Sequence, residues 1–152
     1  MPRPTLRRTS RLGILLALAV LLIAAAACTP QNEAQDLMNA DRNANGLASL
    51  PSEATIFQKA QAWSEQMARD GKISHSTLSA GLPPGWKSAG ENVACGSSLA
   101  NIEASLMNSA GHRANILGNW THAANGVAQG TCWVNGRPIQ NAYFVTQVFI
   151  RL

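Results

Sequence analysis

Met107-Asn108-Ser109-Ala110-Gly111-His112-Arg113-Ala114-Asn115-Ile116-Leu117 is the stretch around which this chain is organised. Just ahead of it, Ile102 and Leu106 mark a helix over residues 99–108 by their spacing, and residues 112–117 read as a short helical turn. The stretch carries His112, one of three histidines in the whole chain. Upstream lie two further short motifs, Gly90-Glu91-Asn92 and His75-Ser76. Imidazole and carboxylate are sparse here, since only 13% of residues are charged. His75, Glu91 and His112 sit in separate segments, so only tertiary structure can bring them together.

Toward the N-terminus the pattern is helical. Residues 37–44 form a first helix, closed by Gly46 in the place of a C-terminal cap. Ser52 is a good N-cap for a longer helix, with Glu53 favourable in its first turn. Ile56, Ala60, Trp63 and Met67 recur at helical spacing as its buried stripe, and Asp70-Gly71 ends it. Residues 74–89 are loop-like, with Gly81, Pro83, Pro84 and Gly85 close together, and residues 78–87 are placed to shape a rim. Toward the C-terminus the period changes. Residues 126–129, 131–134 and 143–150 are rich in β-branched and aromatic side chains, and Asn135-Gly136 signals a tight turn. Helices first and an antiparallel meander last make an α+β chain.

The N-terminus reads as an export signal. Arg3, Arg7, Arg8 and Arg11 precede an apolar run over residues 12–27, shorter than the ~20 residues a bilayer span takes. Ala25-Ala26-Ala27-Cys28 looks like a lipobox, with Ala25 where leucine is commonest; ordinary cleavage after an Ala-x-Ala site is the other reading. The organisation expected is a signal peptide over 1–27, a lipidated Cys28 and polar tether over 28–35, and one domain over 36–152. The leader also explains the basic balance. Once its four arginines are set aside, the eight remaining Lys and Arg equal the eight Asp and Glu. A near-neutral domain has no clustered basic face, so nucleic acid is not an expected partner. With Cys28 taken by lipid, Cys95 and Cys132 have only one intramolecular pairing in a compartment where disulfides persist. Neither belongs to a Cys-x-x-Cys pair, which weakens a metal role for them.

The order His75-Ser76, then Gly90-Glu91-Asn92, then Asn108-Ser109-x-Gly111-His112-Arg113-x-Asn115-Ile116-Leu117 resembles the bacterial extracellular branch of the CAP superfamily. That superfamily includes cysteine-rich secretory proteins, antigen 5 and pathogenesis-related proteins. The likeness spans residues 37–149 and implies a three-layer α-β-α sandwich with a small antiparallel sheet. It also implies a cleft lined by two histidines and two glutamates. Carried over residue by residue, His75 matches the first histidine, Glu91 the glutamate of the Gly-Glu-Asn motif, and His112 the second imidazole. The second glutamate has no match: Leu106 stands in the place of the helix tryptophan and Ser109 in the place of the acid.

Two neutral imidazoles and a carboxylate suit Zn²⁺ or another divalent cation and would leave one coordination position open. Without a metal the same groups make a hydrogen-bonded cluster. Several neighbours read as structural: Asn92, Asn108 and Asn115 as ties for loop backbone, Asn39 with Arg42 on the first helix, Arg113 as a surface or loop-bridging cation, and His122 as a loop histidine. A Ser-His hydrolase using Ser76 or Ser109 lacks a Gly-x-Ser-x-Gly elbow. Asn119-Trp120-Thr121 has the form of a glycosylation acceptor, which a bacterial lipoprotein leader deprives of meaning.

The expected role is a non-enzymatic module, monomeric and held outside the cell membrane by lipid or secreted. Its cleft would take a small apolar or glycan-like ligand, or an envelope protein. A divalent-metal (zinc) hydrolase or peptidase using the same cleft is the alternative. An envelope protein whose cleft residues only stabilise it is the third.

Overall fold

A computed structural model describes residues 29–152, so the leader and Cys28 lie outside the described residues. Four helices and three strands follow in order. They are α1 (Pro30–Ala44), α2 (Ala54–Asp70), β1 (Ser88–Gly96), α3 (Leu99–Asn108), α4 (Ala110–Ile116), β2 (His122–Val134) and β3 (Arg137–Arg151). The sheet is antiparallel in the order β1-β3-β2, with β3 central. Side chains alternate across it. Ala124, Val148 and Ile150 face α2 through Ile56 and Ala60, while Ala123, Val127, Val145 and Phe149 face α1, α3 and α4. This is the α-β-α sandwich expected.

Local chemistry explains most of the boundaries. Thr29 caps α1 by accepting from the Asn32 N–H, and Pro30 occupies the first turn, where its missing N–H costs nothing. The segment expected as a polar tether over residues 28–35 is therefore helical from Pro30 on. Gly46 closes α1 as anticipated: its N–H donates to the Asn43 carbonyl, and the Leu47 N–H reaches back to the Arg42 carbonyl. The cap of α2 is Glu53 rather than Ser52. Its carboxylate accepts from the Thr55 and Ile56 N–H groups, two donors that one hydroxyl would serve less fully. Ile56 and Met67 are fully buried, each contributing roughly 2–3 kcal/mol of apolar transfer. Gly126 lets α2 lie directly on the sheet, because a Cβ there would run into the backbone of Ala60 and Gln61.

The sheet differs from its sequence reading in two ways. Strand β1 stands partly where a loop was expected. Ala89, Gly90, Ala94 and Gly96 have little strand preference, and its central pair, Glu91 and Asn92, is polar yet buried, so no apolar alternation shows. Residues 126–134 form a single strand with an irregularity between Gly130 and Cys132, not two. The Asn135-Gly136 turn holds as read, both residues having positive φ as a two-residue hairpin requires. Cys95 and Cys132 are bonded, joining edge strands β1 and β2 across the end of β3. In the chain-entropy view, closing that 37-residue separation stabilises the fold by about 4 kcal/mol.

Candidate functional site

Glu91 and Asn92 are consecutive on β1 and point to opposite faces. The Glu91 carboxylate lies on the α2 side, almost fully buried. One oxygen, Oε1, is 2.8 Å from His75 Nδ1 and accepts the Ser76 N–H at 2.9 Å. The other accepts the Ser76 hydroxyl. A single carboxylate thus fastens the 75–76 turn to the sheet. With Nδ1–H donating to the carboxylate, the other ring nitrogen, Nε2, is left without a partner among the described residues. The His75 side chain is 61% exposed against 3% for Glu91, so the pair is a buried anchor under an accessible ring.

Beside this pair, α2 and the loop after Ser76 enclose an open groove of about 440 Å³, lined by Lys59, Trp63, Gln66, Arg69, Ser76 and Gly81. Trp63, read from spacing as core, is half-buried; its indole N–H holds the Ser74 carbonyl at 2.7 Å and its ring helps line the groove. The Lys59 ammonium donates to the Thr77 carbonyl at 3.0 Å. Burial holds the Lys59 pKa below its ordinary value, and the nearby Glu91 carboxylate works against that shift. Two cations, Lys59 and Arg69, and an apolar wall thus line the groove that Ser76, the residue after His75, also lines.

His112 is on the other side of β1. Asn92, pointing away from Glu91, donates to the His112 carbonyl at 3.1 Å, so α4 is held to the face opposite the His75 pair. His75 and Glu91 are brought together; the His112 ring joins neither. The donor set does not fit a zinc ion: among the described residues no three His, Cys, Asp or Glu side chains are grouped to hold a metal. Ser76 bonds to Glu91 rather than to an imidazole, and Ser109 is the residue preceding α4, so neither forms a Ser-His pair. His122 begins β2, its ring beside the Thr121 hydroxyl.

The structural readings mostly hold. Arg42 is buried and donates to the carbonyls of Ala48, Ile116 and Gly118, while Asn39 clamps both backbone groups of Leu50. Asn115 donates to the Glu91 carbonyl and to Asn92 Oδ1; Asn108 is exposed at the end of α3, and Arg113 is exposed on α4. Trp120 packs on Phe149 with ring centroids 6.0 Å apart. The buried acid that sequence reasoning passed over is Glu103. Its signal was available: Leu99, Ile102, Glu103 and Leu106 share one helical stripe, so an acid stands on the buried face of α3.

Three similarities accompany this geometry. The profile of the cysteine-rich secretory protein family (CAP) matches residues 35–149. The uncharacterized protein YkwD of Bacillus subtilis is 35% identical over 109 residues, 64% of this chain but 42% of that protein, so the chain spans under half of that relative. A solved outer surface protein from Borrelia burgdorferi superposes with a TM-score of 0.61, covering 82% of this chain and 94% of that one. At 14% identity that likeness speaks to the fold alone.

Proposed function

This chain belongs to the cysteine-rich secretory protein (CAP) family, and from that premise we propose that it is an exported, lipid-anchored binding module rather than an enzyme. The observation that carries the reading is the accessible His75 ring, fixed by buried Glu91, next in the chain to Ser76, which lines the groove along Trp63. Such a site offers an exposed imidazole ring, a cationic rim and a flat apolar wall. It suits a small ligand with an apolar body and a polar or sugar-like head. The leader supports placement outside the cell membrane, with Cys28 as the lipid-bearing residue. Among the described residues no helix is long and apolar enough to cross a membrane, so anchoring by this reading falls to the lipid.

Octyl glucoside below its micelle concentration is a suitable probe, since it joins an apolar tail to a sugar. Saturable NMR shift changes are expected at the Trp63 indole N–H, Ser76 and His75, lost in Trp63→Ala and His75→Ala. Changes spread evenly over the surface, or none for this or for extracted envelope lipids and glycans, would remove the binding role. Mass spectrometry of the membrane fraction tests the anchor: a diacylglyceryl group on Cys28 is expected, and release of Cys28→Ser to the medium. The metal-hydrolase alternative has less support, because His112 is turned from the other two groups. Equal zinc uptake in calorimetry by the wild type and a His75→Ala, His112→Ala variant would end it.

A further inference from the structure

Behind the sheet, on the face away from His75, a row of amides crosses all three strands. Asn92, Gln147 and Asn125 stand opposite one another in register, and each is at most 2% exposed. Glu103 reaches the middle of the row from α3, and Gln35 reaches its end from α1. The hydrogen bonds have a direction that can be read off. Because the His112 carbonyl only accepts, Asn92 must point its amide nitrogen there and to Gln147 Oε1, at 3.0 Å. Gln147 therefore turns its own nitrogen to Glu103 Oε2, at 2.7 Å. From the other end, the Leu50 carbonyl fixes the Gln35 nitrogen, so Gln35 Oε1 accepts from Asn125 Nδ2 at 2.9 Å.

Both runs of bonds end on an acceptor with nothing to accept. Glu103 Oε1 and Asn125 Oδ1 are the two buried side-chain atoms without a partner among the described residues. Both ends lie next to Gln147 on one inner face, Asn125 across from it in register and Glu103 bonded to it, and each lacks a hydrogen. We propose that Glu103 and Asn125 form a buried proton-binding site, in which Glu103 is the neutral acid and its Oε1–H donates to Asn125 Oδ1. Folding then takes up one proton from solvent onto Oε1, and the O–H···O bond closes the row from α4 through the sheet to α1. The proton serves because no cation is free to. Arg42 of α1 is committed to three carbonyls, and Asp41 of α1 repels a carboxylate. The ionisable side chains of α4 are His112 and Arg113, β1 contributes Glu91 on the opposite face, and the inward rows of β2 from Ala123 to Val127 and of β3 from Val145 to Phe149 are uncharged. Burial, with Asp41 adding to it, raises the Glu103 pKa from 4.5 to about 7, against the Gln147 hydrogen bond.

The sign of the pH dependence follows. Below 4.5 the acid is protonated folded and unfolded, and stability from this site is fully present. From there to about 7 only the folded chain keeps the proton, so the melting temperature falls as pH rises and levels off above. The test is a carbon-13 titration of the Glu103 carboxyl in the full mature protein, with the signal assigned by its loss in Glu103→Gln. A midpoint near 7 is expected, moving down in Asn125→Val, where the neutral acid loses its acceptor. In Glu103→Gln, whose amide N–H replaces the acid proton, this fall of melting temperature between pH 4.5 and 7 should vanish without loss of the fold at neutral pH. A wild-type midpoint in the ordinary carboxylate range would overturn the proposal, as would a midpoint indifferent to Asn125→Val.

Discussion

The two faces of β1 make opposite uses of adjacent polar residues. On the outer face Glu91 spends both oxygens on the 75–76 turn and so presents an imidazole to solvent. On the inner face Asn92 spends its amide on Gln147, Asn115 and the His112 carbonyl, binding α4 and the sheet into the core. The first arrangement ends at water and the second ends in the interior. That difference separates the histidine held through its ring, His75, from the one held only through its backbone carbonyl, His112. It also predicts unequal costs, because a buried polar group stripped of its partner has no solvent to turn to.

The largest effect should come from the inner face. Asn92→Leu keeps the branching of the side chain but leaves Gln147 Oε1, Asn115 Nδ2 and the His112 carbonyl without that partner. At about 1–3 kcal/mol for each buried group left unpaired, a loss of about 4 kcal/mol is expected in urea unfolding. A loss under about 1 kcal/mol would mean that the amide row fastens nothing. An intermediate effect is expected for Glu91→Gln on the outer face, about 1–2 kcal/mol, with faster hydrogen exchange at the Ser76 N–H as the turn loosens. The smallest should be His75→Ala. A side chain this exposed contributes under about 0.5 kcal/mol to stability, yet its removal should abolish ligand-induced shifts. A His75→Ala variant that melted far below the wild type would show that the outer face is a structural device like the inner one.

Much of the architecture was legible because it rests on local rules. The spacing of Ile56, Ala60 and Met67 on α2, the Asn135-Gly136 turn, and the Cys95–Cys132 pair each depend on neighbours in sequence or on simple arithmetic. Strand β1 was not legible, for the reason that makes it useful: its buried positions hold Glu91 and Asn92, which the alternation of apolar residues cannot reveal. The site was legible in half. The pairing of His75 with Glu91 joins residues far apart in the chain, and His112, expected beside them, stands on α4, which packs on the opposite face of the sheet.

From the amino-acid sequence alone came the expectation of export, the helices α1 and α2, the hairpin of β2 and β3, the disulfide partners and the family, whereas β1 stands between helices that were expected to precede every strand. Each follows from composition, from short-range periodicity or from motifs whose wording survives without coordinates. Tertiary structure decided which polar groups meet. It turned Glu91 toward α2 and a histidine and Asn92 to the other face and Gln147, and it seated Glu103 where α1, α3 and the sheet converge. Contacts of that kind depend on side-chain parity across a strand and on packing between elements distant in sequence, for which no local pattern carries information.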